Sequence, residues 1–328
     1  MRTAVIKPLW AVLLLASAQS VFADPLWQDD LNWVKTMAFA AHQTDYSGIF
    51  LYQYGNHVET SHITHVVDHD GEHGRVEGLD GARRKIIRSN DKVWCYLGDR
   101  KIRIEERQGG RKFPAILPEQ LSLLNGNYLI KQTEEGRIAG FHAHAVVFIP
   151  RDNLRYTHRM WAHSDSGLLL REEVLDESGR VVEQSTFIQL TIGEKIDRSW
   201  IEAIKQDAAS LAQSPHQMDS PKTESLVSAS GWQVDMLPPG FKKITEMHRP
   251  LRGKKMPAFQ MVFSDGLASI SVFIESIYGD QDEHPGLSSQ GAIQVYSKVS
   301  GEYFLTVVGE VPPRTVMQVA DSVRRSRK

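Results

Sequence analysis

Apolar positions in this chain follow a helical rhythm first and a strand rhythm afterwards. Across residues 24–45, Trp27, Leu31, Val34, Ala38 and Ala41 recur every three or four places, which predicts a helix with one apolar face. Beyond residue 46 the pattern becomes short apolar runs separated by turn residues. Residues 49–54, a Gly55-Asn56 turn and residues 57–67 predict a β-hairpin. Further strands are expected at 85–88, 93–97, 143–149, 154–161, 168–174 and 187–192, with Asp70-Gly71, Asp91-Lys92, Asp165-Ser166-Gly167 and Ser178-Gly179 turning between several of them. One short helix is expected at 118–124 and another from Asp197 to about Ala209.

Several of these runs are apolar on both faces. Side chains alternate across a strand, so Phe50, Tyr52 and Tyr54 point one way while Ile49 and Leu51 point the other. Trp94 and Tyr96 likewise oppose Val93, Cys95 and Leu97, and Val146 and Phe148 oppose Ala145, Val147 and Ile149. A sheet with one wet face shows clean alternation instead. Both faces must therefore be covered. Helices account for one; the other is closed either by loops or around an apolar cavity.

The pattern fades over residues 207–230, where Gln, Ser, Ala, Pro215 and Pro221 give the composition of a linker. A second domain is expected from Gly231. Its clearest element is a hairpin around Asp265-Gly266, for which a two-residue turn would pair Phe263 with Ala268, Met261 with Ile270 and Phe259 with Val272. Strands at 293–299 and 303–308 follow. Pro312-Pro313 then open a helix with Val316, Val319, Ala320 and Val323 on its inner face, and Arg324, Arg325, Arg327 and Lys328 stand where the helix dipole favours cations. The fold class is α+β.

Composition adds a location. Arg2 and Lys7 precede an apolar run from Leu9 to Ala16, and Val21-Phe22-Ala23 has the small and aliphatic groups of a signal-peptidase site. That run is too short to span a bilayer. Residues 1–23 are therefore expected to be an export signal cleaved after Ala23, leaving a periplasmic protein. A length of 328 residues suits two domains, and 41% hydrophobic residues suffice for packed cores. A formal charge of −2 argues against a dedicated nucleic-acid binder. Cys95 is the sole cysteine, so no internal disulfide can form; its place in an apolar strand predicts a buried, inert thiol.

Catalytic signatures are scarce. The chain has no Gly-x-Ser-x-Gly elbow, P-loop, Rossmann fingerprint or His-Glu-x-x-His, and no carboxylate pair stands out by spacing. His57, His62, His65, His69 and His73 crowd one segment, but His62 and His65 point to opposite faces of a strand, which opposes a shared metal site. Lys242, Lys243, Arg249, Arg252, Lys254 and Lys255, countered by Glu246, form a basic stretch that is either solvated surface or a docking face for acidic peptide or lipid phosphate.

Taken in order along the chain, a set of short motifs resembles the periplasmic sigma-E regulatory protein family, RseB/MucB. They are Tyr46-Ser47-Gly48, Glu59 through His65, Gly136-Arg137-Ile138-Ala139-Gly140, Pro150-Arg151-Asp152 with Arg155-Tyr156, Gly167-Leu168-Leu169-Leu170 and the Phe187 strand. The second half adds Leu237-Pro238-Pro239-Gly240-Phe241, Ser264-Asp265-Gly266-Leu267 and Val308-Gly309-Glu310-Val311-Pro312-Pro313. The resemblance implies an N-terminal domain over 24–206 similar to the lipoprotein carriers LolA and LolB, a half-open antiparallel β-barrel with helices in its concavity. It also implies a smaller C-terminal α+β domain over 231–328 that grips the periplasmic segment of the anti-sigma factor RseA and shields it from the site-1 protease DegS. Acylated lipid or lipopolysaccharide is the implied release signal.

On that reading the chain is a regulator without enzymatic activity, cofactor or nucleic-acid partner, reaching the membrane only through its partner. Homo-oligomer formation is left open. Strand parity nominates Phe50, Tyr52, Trp94 and Tyr96 as lipid-cavity groups, with Ile116 and Leu121 in a lid over 116–124. The basic stretch nominates Arg249, Arg252, Lys254 and Lys255 as partner contacts. Two other functions are the alternatives: a lipoprotein or lipid carrier that uses the same cavity with no regulatory client, and a periplasmic hydrolase with a dispersed site.

Overall fold

The computed structural model describes residues 25–90, 92–98, 100–105, 113–118, 120–193, 195–202, 231–249, 256–277 and 284–325. The expected export signal, the expected linker and most of the helix expected from Asp197 lie outside them; residues 199–202 are helical. The first helix, α1 (Pro25–Gln43), is followed by strands β1 (Tyr46–Tyr54), β2 (His57–Asp68), β3 (Gly71–Gly78), β4 (Arg84–Ser89), β5 (Lys92–Leu97) and β6 (Arg100–Glu105). A one-turn helix α2 (Ser122–Asn125) then leads to β7 (Tyr128–Ile138), β8 (Phe141–Pro150), β9 (Thr157–His163), β10 (Leu169–Leu175) and β11 (Val181–Ile192).

These eleven strands form one antiparallel sheet in the order β6-β5-β4-β3-β2-β1-β11-β10-β9-β8-β7. Neighbouring strands are mostly consecutive in the chain, and the one long-range closure is β1 against β11, with Tyr46 opposite Ile192. The edge strands β6 and β7 do not pair, so the sheet is a half-open barrel. Strands β3, β6 and β7 are additions to the expected set. The Gly-Glu-His-Gly-Arg-Val-Glu-Gly sequence of β3 carries too few apolar groups to signal a strand; partners on both sides, β2 and β4, hold it in the ladder.

Apolar cover lies on both faces, as the two-faced strands require. Val34, Met37 and Ala38 of α1 pack with Ile130, Val146, Phe148 and Met160, while Ala40 and Ala41 pack with Tyr46, Ile63, Phe187 and Leu190. On another part of the sheet, Val66, Ile87 and Trp94 are covered by Ile196, Trp200 and Ile201. Each valine, isoleucine, leucine, phenylalanine or methionine among them, fully buried, contributes about 1.5–3 kcal/mol of apolar transfer energy. Cys95 is buried as expected.

The second domain has a six-stranded sheet in the order β13-β14-β15-β18-β17-β16: β13 (Lys242–Arg249), β14 (Ala258–Ser264), β15 (Ser269–Ser276), β16 (Gly286–Gln290), β17 (Ile293–Ser300) and β18 (Tyr303–Gly309). A helix α3 (Pro313–Asp321) covers one face, with Val316, Val319 and Ala320 on Met261, Phe263, Ile270, Val272, Leu305 and Val307. Helix α3 ends at Asp321. Val323 still enters the core, but as part of β19 (Val323–Arg325), which pairs with β12 (Trp232–Val234). Arg324 and Arg325 therefore belong to a strand, with Arg324 against Asp235, and do not cap the helix.

The register of the β14–β15 hairpin also differs from the expected one. Phe263 faces Ile270, Met261 faces Val272 and Phe259 faces Ile274, so four residues form the loop instead of two. The Asp265 side chain accounts for the longer loop. Its Oδ1 accepts hydrogen bonds from the amides of Leu267 at 3.0 Å and Ala268 at 2.8 Å, an Asx-type closure that a two-residue turn cannot make. The shift is an even number of residues, so the large apolar groups keep the same face.

Candidate functional site at the domain interface

Four of the short motifs that are far apart in sequence meet where the two domains touch. Residues 150–156 come from the connection between β8 and β9, residues 237–241 from the loop before β13, residues 264–267 from the β14–β15 loop, and residues 309–315 from the end of β18 and the start of α3. At their centre Arg155 Nε donates to Asp265 Oδ2 at 2.6 Å, and the Tyr128 hydroxyl donates to the same oxygen at 3.0 Å. Both charged side chains are 0% exposed. The remaining guanidinium nitrogens donate to Asp152 and to the carbonyl of Pro239. The guanidinium also lies over the rings of Tyr128 and Phe241, 5.8 and 5.0 Å from their centroids.

A buried charge is tolerated only when its partner and hydrogen bonds are complete, and this one meets that condition. Burial opposes the Arg155 charge, but the hydrogen bond and charge of Asp265 outweigh it and raise its pKa. Burial, then the Asp265 charge, raises the Tyr128 hydroxyl well above its ordinary value, so it stays a proton donor. Two glycines permit the close approach. Gly240 has φ +82°, and a Cβ there would fall 2.2 Å from the Asn127 amide. Gly266 has φ +100° and faces Leu123 and Pro118. Beside it, Leu267 inserts into the large domain's core with Ile116, Leu117, Leu124 and Tyr128.

A second set of contacts lies further along the same sheet. Gln294 Nε2 donates to the Tyr156 hydroxyl at 3.2 Å, the Ala292 amide to Glu183 Oε2 at 2.9 Å, and the Thr315 hydroxyl to the Leu154 carbonyl at 2.9 Å. Arg314 pairs with Glu177. The C-terminal domain is thus docked by side chains of both signs and by one apolar plug.

The nominated lipid groups separate into two places. Register carried across the strands, through Gly48, Ile63, Val76, Ile86 and Cys95, puts Cys95 rather than Trp94 on the face of Phe50. Phe50 and Tyr52 lie on the α1 side, with the Phe50 ring 5.6 Å from Phe113 and 6.3 Å from Phe187. Trp94 and Tyr96 lie on the opposite face, in the cluster with Trp200. Parity within one strand cannot say which face matches a face of another; only pairing register does. One cavity therefore cannot be lined by all four.

Ile116 and Leu121 pack into the α1 cluster, where they fill the concave side. An open groove of about 380 Å³ runs along α1 by Lys35, Phe39, Gln43 and Ser166, and none of the nominated groups lines it. Arg249 ends the edge strand β13, exposed, with Nη1 on Gln260 Oε1 at 3.3 Å. Arg252, Lys254 and Lys255 lie outside the described residues. The crowded histidines take separate partners: His65 Nδ1 bonds the Thr44 carbonyl at 2.8 Å and stacks on Tyr46, His73 sits between Asp68 and Ser89, and His57 pairs with Glu59. Sequence patterning does not reveal Arg155 and Asp265 as partners, although both lie inside the short motifs.

Fold and interface define a two-domain protein whose buried charges serve the clasp between a half-open barrel and a small α+β domain. Among the described residues no helix is long and apolar enough to cross a membrane. The profile of the MucB/RseB N-terminal domain matches residues 29–205 and that of the MucB/RseB C-terminal domain matches residues 227–324. The chain belongs to the MucB/RseB family of sigma-factor regulatory proteins. It is 32% identical to the sigma factor AlgU regulatory protein MucB of Pseudomonas aeruginosa over 320 residues, covering 95% of this chain and 96% of that one. To the sigma-E factor regulatory protein RseB of Salmonella typhimurium it is 25% identical, covering 97% and 98%. Among solved structures it resembles MucB in the Pseudomonas aeruginosa MucA/MucB complex, with TM-score 0.71, 27% identity and 92% of this chain covering all of that one. MucB in complex with MucA(peri) gives TM-score 0.69.

Proposed function

We propose that this chain is a periplasmic negative regulator of the envelope stress response. It binds the periplasmic segment of an anti-sigma factor of the RseA or MucA kind, shields that segment from the site-1 protease, and lets go when an acylated lipid or lipopolysaccharide binds. The observation that carries the reading is the two-domain match, end to end, to a relative solved in complex with MucA. The basic stretch from Lys242 to Lys255 supplies charge for that segment.

Release by lipid has a physical route in the filled concave side. Leu267 of the C-terminal domain and Ile116, Leu117 and Leu124 of the large domain occupy one apolar cluster. An acyl chain entering that cluster competes with the hairpin tip for the same surface. Burial is worth roughly 0.8 kcal/mol per CH₂ before ordering costs, so a ~10-carbon chain supplies several kcal/mol. Reversing a 1:99 equilibrium takes about 5.5 kcal/mol of differential affinity. One or two chains bound only in the undocked arrangement suffice.

The test has two stages. Purified chain is titrated with the anti-sigma periplasmic segment by calorimetry, and cleavage of that segment by the site-1 protease is followed with and without the chain. Lipopolysaccharide fragments are then added. Binding, protection and release by acylated fragments alone are the expected results. Absence of binding removes the regulatory reading, and release that ignores acylation removes the lipid half.

A further inference from the structure

We propose that the anti-sigma segment binds along the free edge of β13, added to the C-terminal sheet as one more strand, a mode of binding that rests on the regulatory function. Among the described residues β13 is the last strand on its side of the sheet and is bonded to β14 alone. Antiparallel pairing with one neighbour engages the backbone of every second residue, so the amides and carbonyls of the others face outward unpaired. A bulge between Lys243 and Thr245 interrupts the ladder, and residues 245–249 are the regular stretch open to a partner.

The charges on this edge decide what it accepts. Lys242, Lys243, His248 and Arg249 are exposed, and the one acid, Glu246, is held by Lys243. Arg249 donates to the neutral amide oxygen of Gln260, so its charge is left uncompensated. Like charges placed opposite each other repel, which opposes pairing of β13 with a second copy of itself. A segment carrying carboxylates is attracted by the same groups. The edge at the other end of the sheet, β16, reads Gly-Leu-Ser-Ser-Gln and makes no such selection.

Register fixes the pattern the segment must carry. Glu246 and His248 lie on the α3 side of the sheet, where the His248 ring meets Phe259 with centroids 5.4 Å apart. Thr245, Met247 and Arg249 lie on the opposite face, in register with Val262, Gln260 and Ala258. Half-buried Val262 and Phe273 continue that face, which α3 leaves open. Side chains of an added strand that point to this face stand two residues apart. An apolar group fits beside Met247 and a carboxylate beside Arg249. Main-chain hydrogen bonds then supply affinity, and the alternate side chains select the sequence.

The test uses the full chain and the anti-sigma periplasmic segment, with binding read first by calorimetry and amide exchange compared with and without the segment. Exchange is expected to slow about tenfold or more at alternate amides of residues 245–249, those that β14 does not use, while β16 is unchanged. Disulfide trapping from His248→Cys is expected to capture cysteines scanned through the segment at positions two apart; buried Cys95 does not compete. Lys242→Glu combined with Arg249→Glu should weaken binding about tenfold or more and flatten its salt dependence. Binding without a gain at β13, a gain at β16 instead, trapping without the two-residue period, or unchanged affinity in the charge variant would each overturn the proposal and leave the regulatory function standing. Protection at β13 that grows with protein concentration in the absence of the segment would assign the edge to a second copy and overturn it too. No binding by calorimetry removes the regulatory function itself, and this mode of binding with it.

Discussion

Arg155 and Asp265 show how much a single residue type can decide at a buried contact. Removing one partner of a buried, fully hydrogen-bonded pair leaves an uncompensated charge, which costs about 3–5 kcal/mol. Asp265→Asn is therefore expected to weaken domain docking by that order, seen in urea denaturation as an earlier, separate transition of the C-terminal domain. A single unshifted transition would show that the pair is not what holds the domains. Removing the guanidinium as well, in Arg155→Met with Asp265→Asn, should restore part of the loss, because the cation is then no longer stranded and the amide oxygen at 265 can still accept the loop amides. Glu72 makes the second case at this scale. Burial would raise its pKa, but hydrogen bonds from His42 and His65 outweigh that and bring it down to about 2. A lowered carboxyl pKa stabilises the fold above its ordinary value of 4.5, and that contribution is lost as pH falls towards 2. Thermal melts across that range should show a steeper acid decline in the native chain than in Glu72→Gln; parallel declines would refute the role.

Elements are set by pairing as much as by their own sequence. The β14–β15 hairpin was legible from its alternating apolar groups and its Asp-Gly turn, yet its loop is two residues longer than those signals predict. Asp265 closes the longer loop, and the added length projects Leu267 into the large domain. Leu267→Ala should then weaken docking by about 2–5 kcal/mol, the usual cost of truncating a buried leucine. Small-angle scattering of the full chain would register this as a larger radius of gyration if the docked population drops, and an unchanged profile together with unchanged hydrogen-exchange protection of the Ala292 amide, which bonds Glu183 across the interface, would count against the plug. The strand pair β1–β11 offers a contrast. Gly48 is buried where a Cβ would lie 2.3 Å from the Gln189 carbonyl, so the closure of the barrel depends on a residue without a side chain. Nothing in the local pattern distinguishes that glycine from one in a turn.

At the scale of the molecule, the exposed basic edge and the clasp are separate features. Arg249 lies at the end of an edge strand, and neighbouring Lys242 and Lys243 are exposed. Charge reversal at Arg252 and Lys255 is expected to lower affinity for an acidic anti-sigma segment and to flatten its dependence on salt, since screened charges contribute to both. Calorimetry at two ionic strengths measures both; equal affinity and equal salt slope would place the partner elsewhere. The clasp variants should leave that salt slope intact, which separates loss of docking from loss of the partner's charged contacts.

Hydropathy period, turn residues and the order of motifs were enough to give the two domains' classes, the helix over the large sheet, the apolar face of the small one and the family. Those properties are local, because a strand's alternation or a helix's stripe is written within a dozen residues. The side of the sheet on which Trp94 lies, the loop length at Asp265, and the meetings of Arg155 with Asp265 and of Glu183 with Ala292 were decided only by the tertiary structure. Each depends on register or on contact between segments distant in the chain, and no periodicity within either segment encodes which partner it will face.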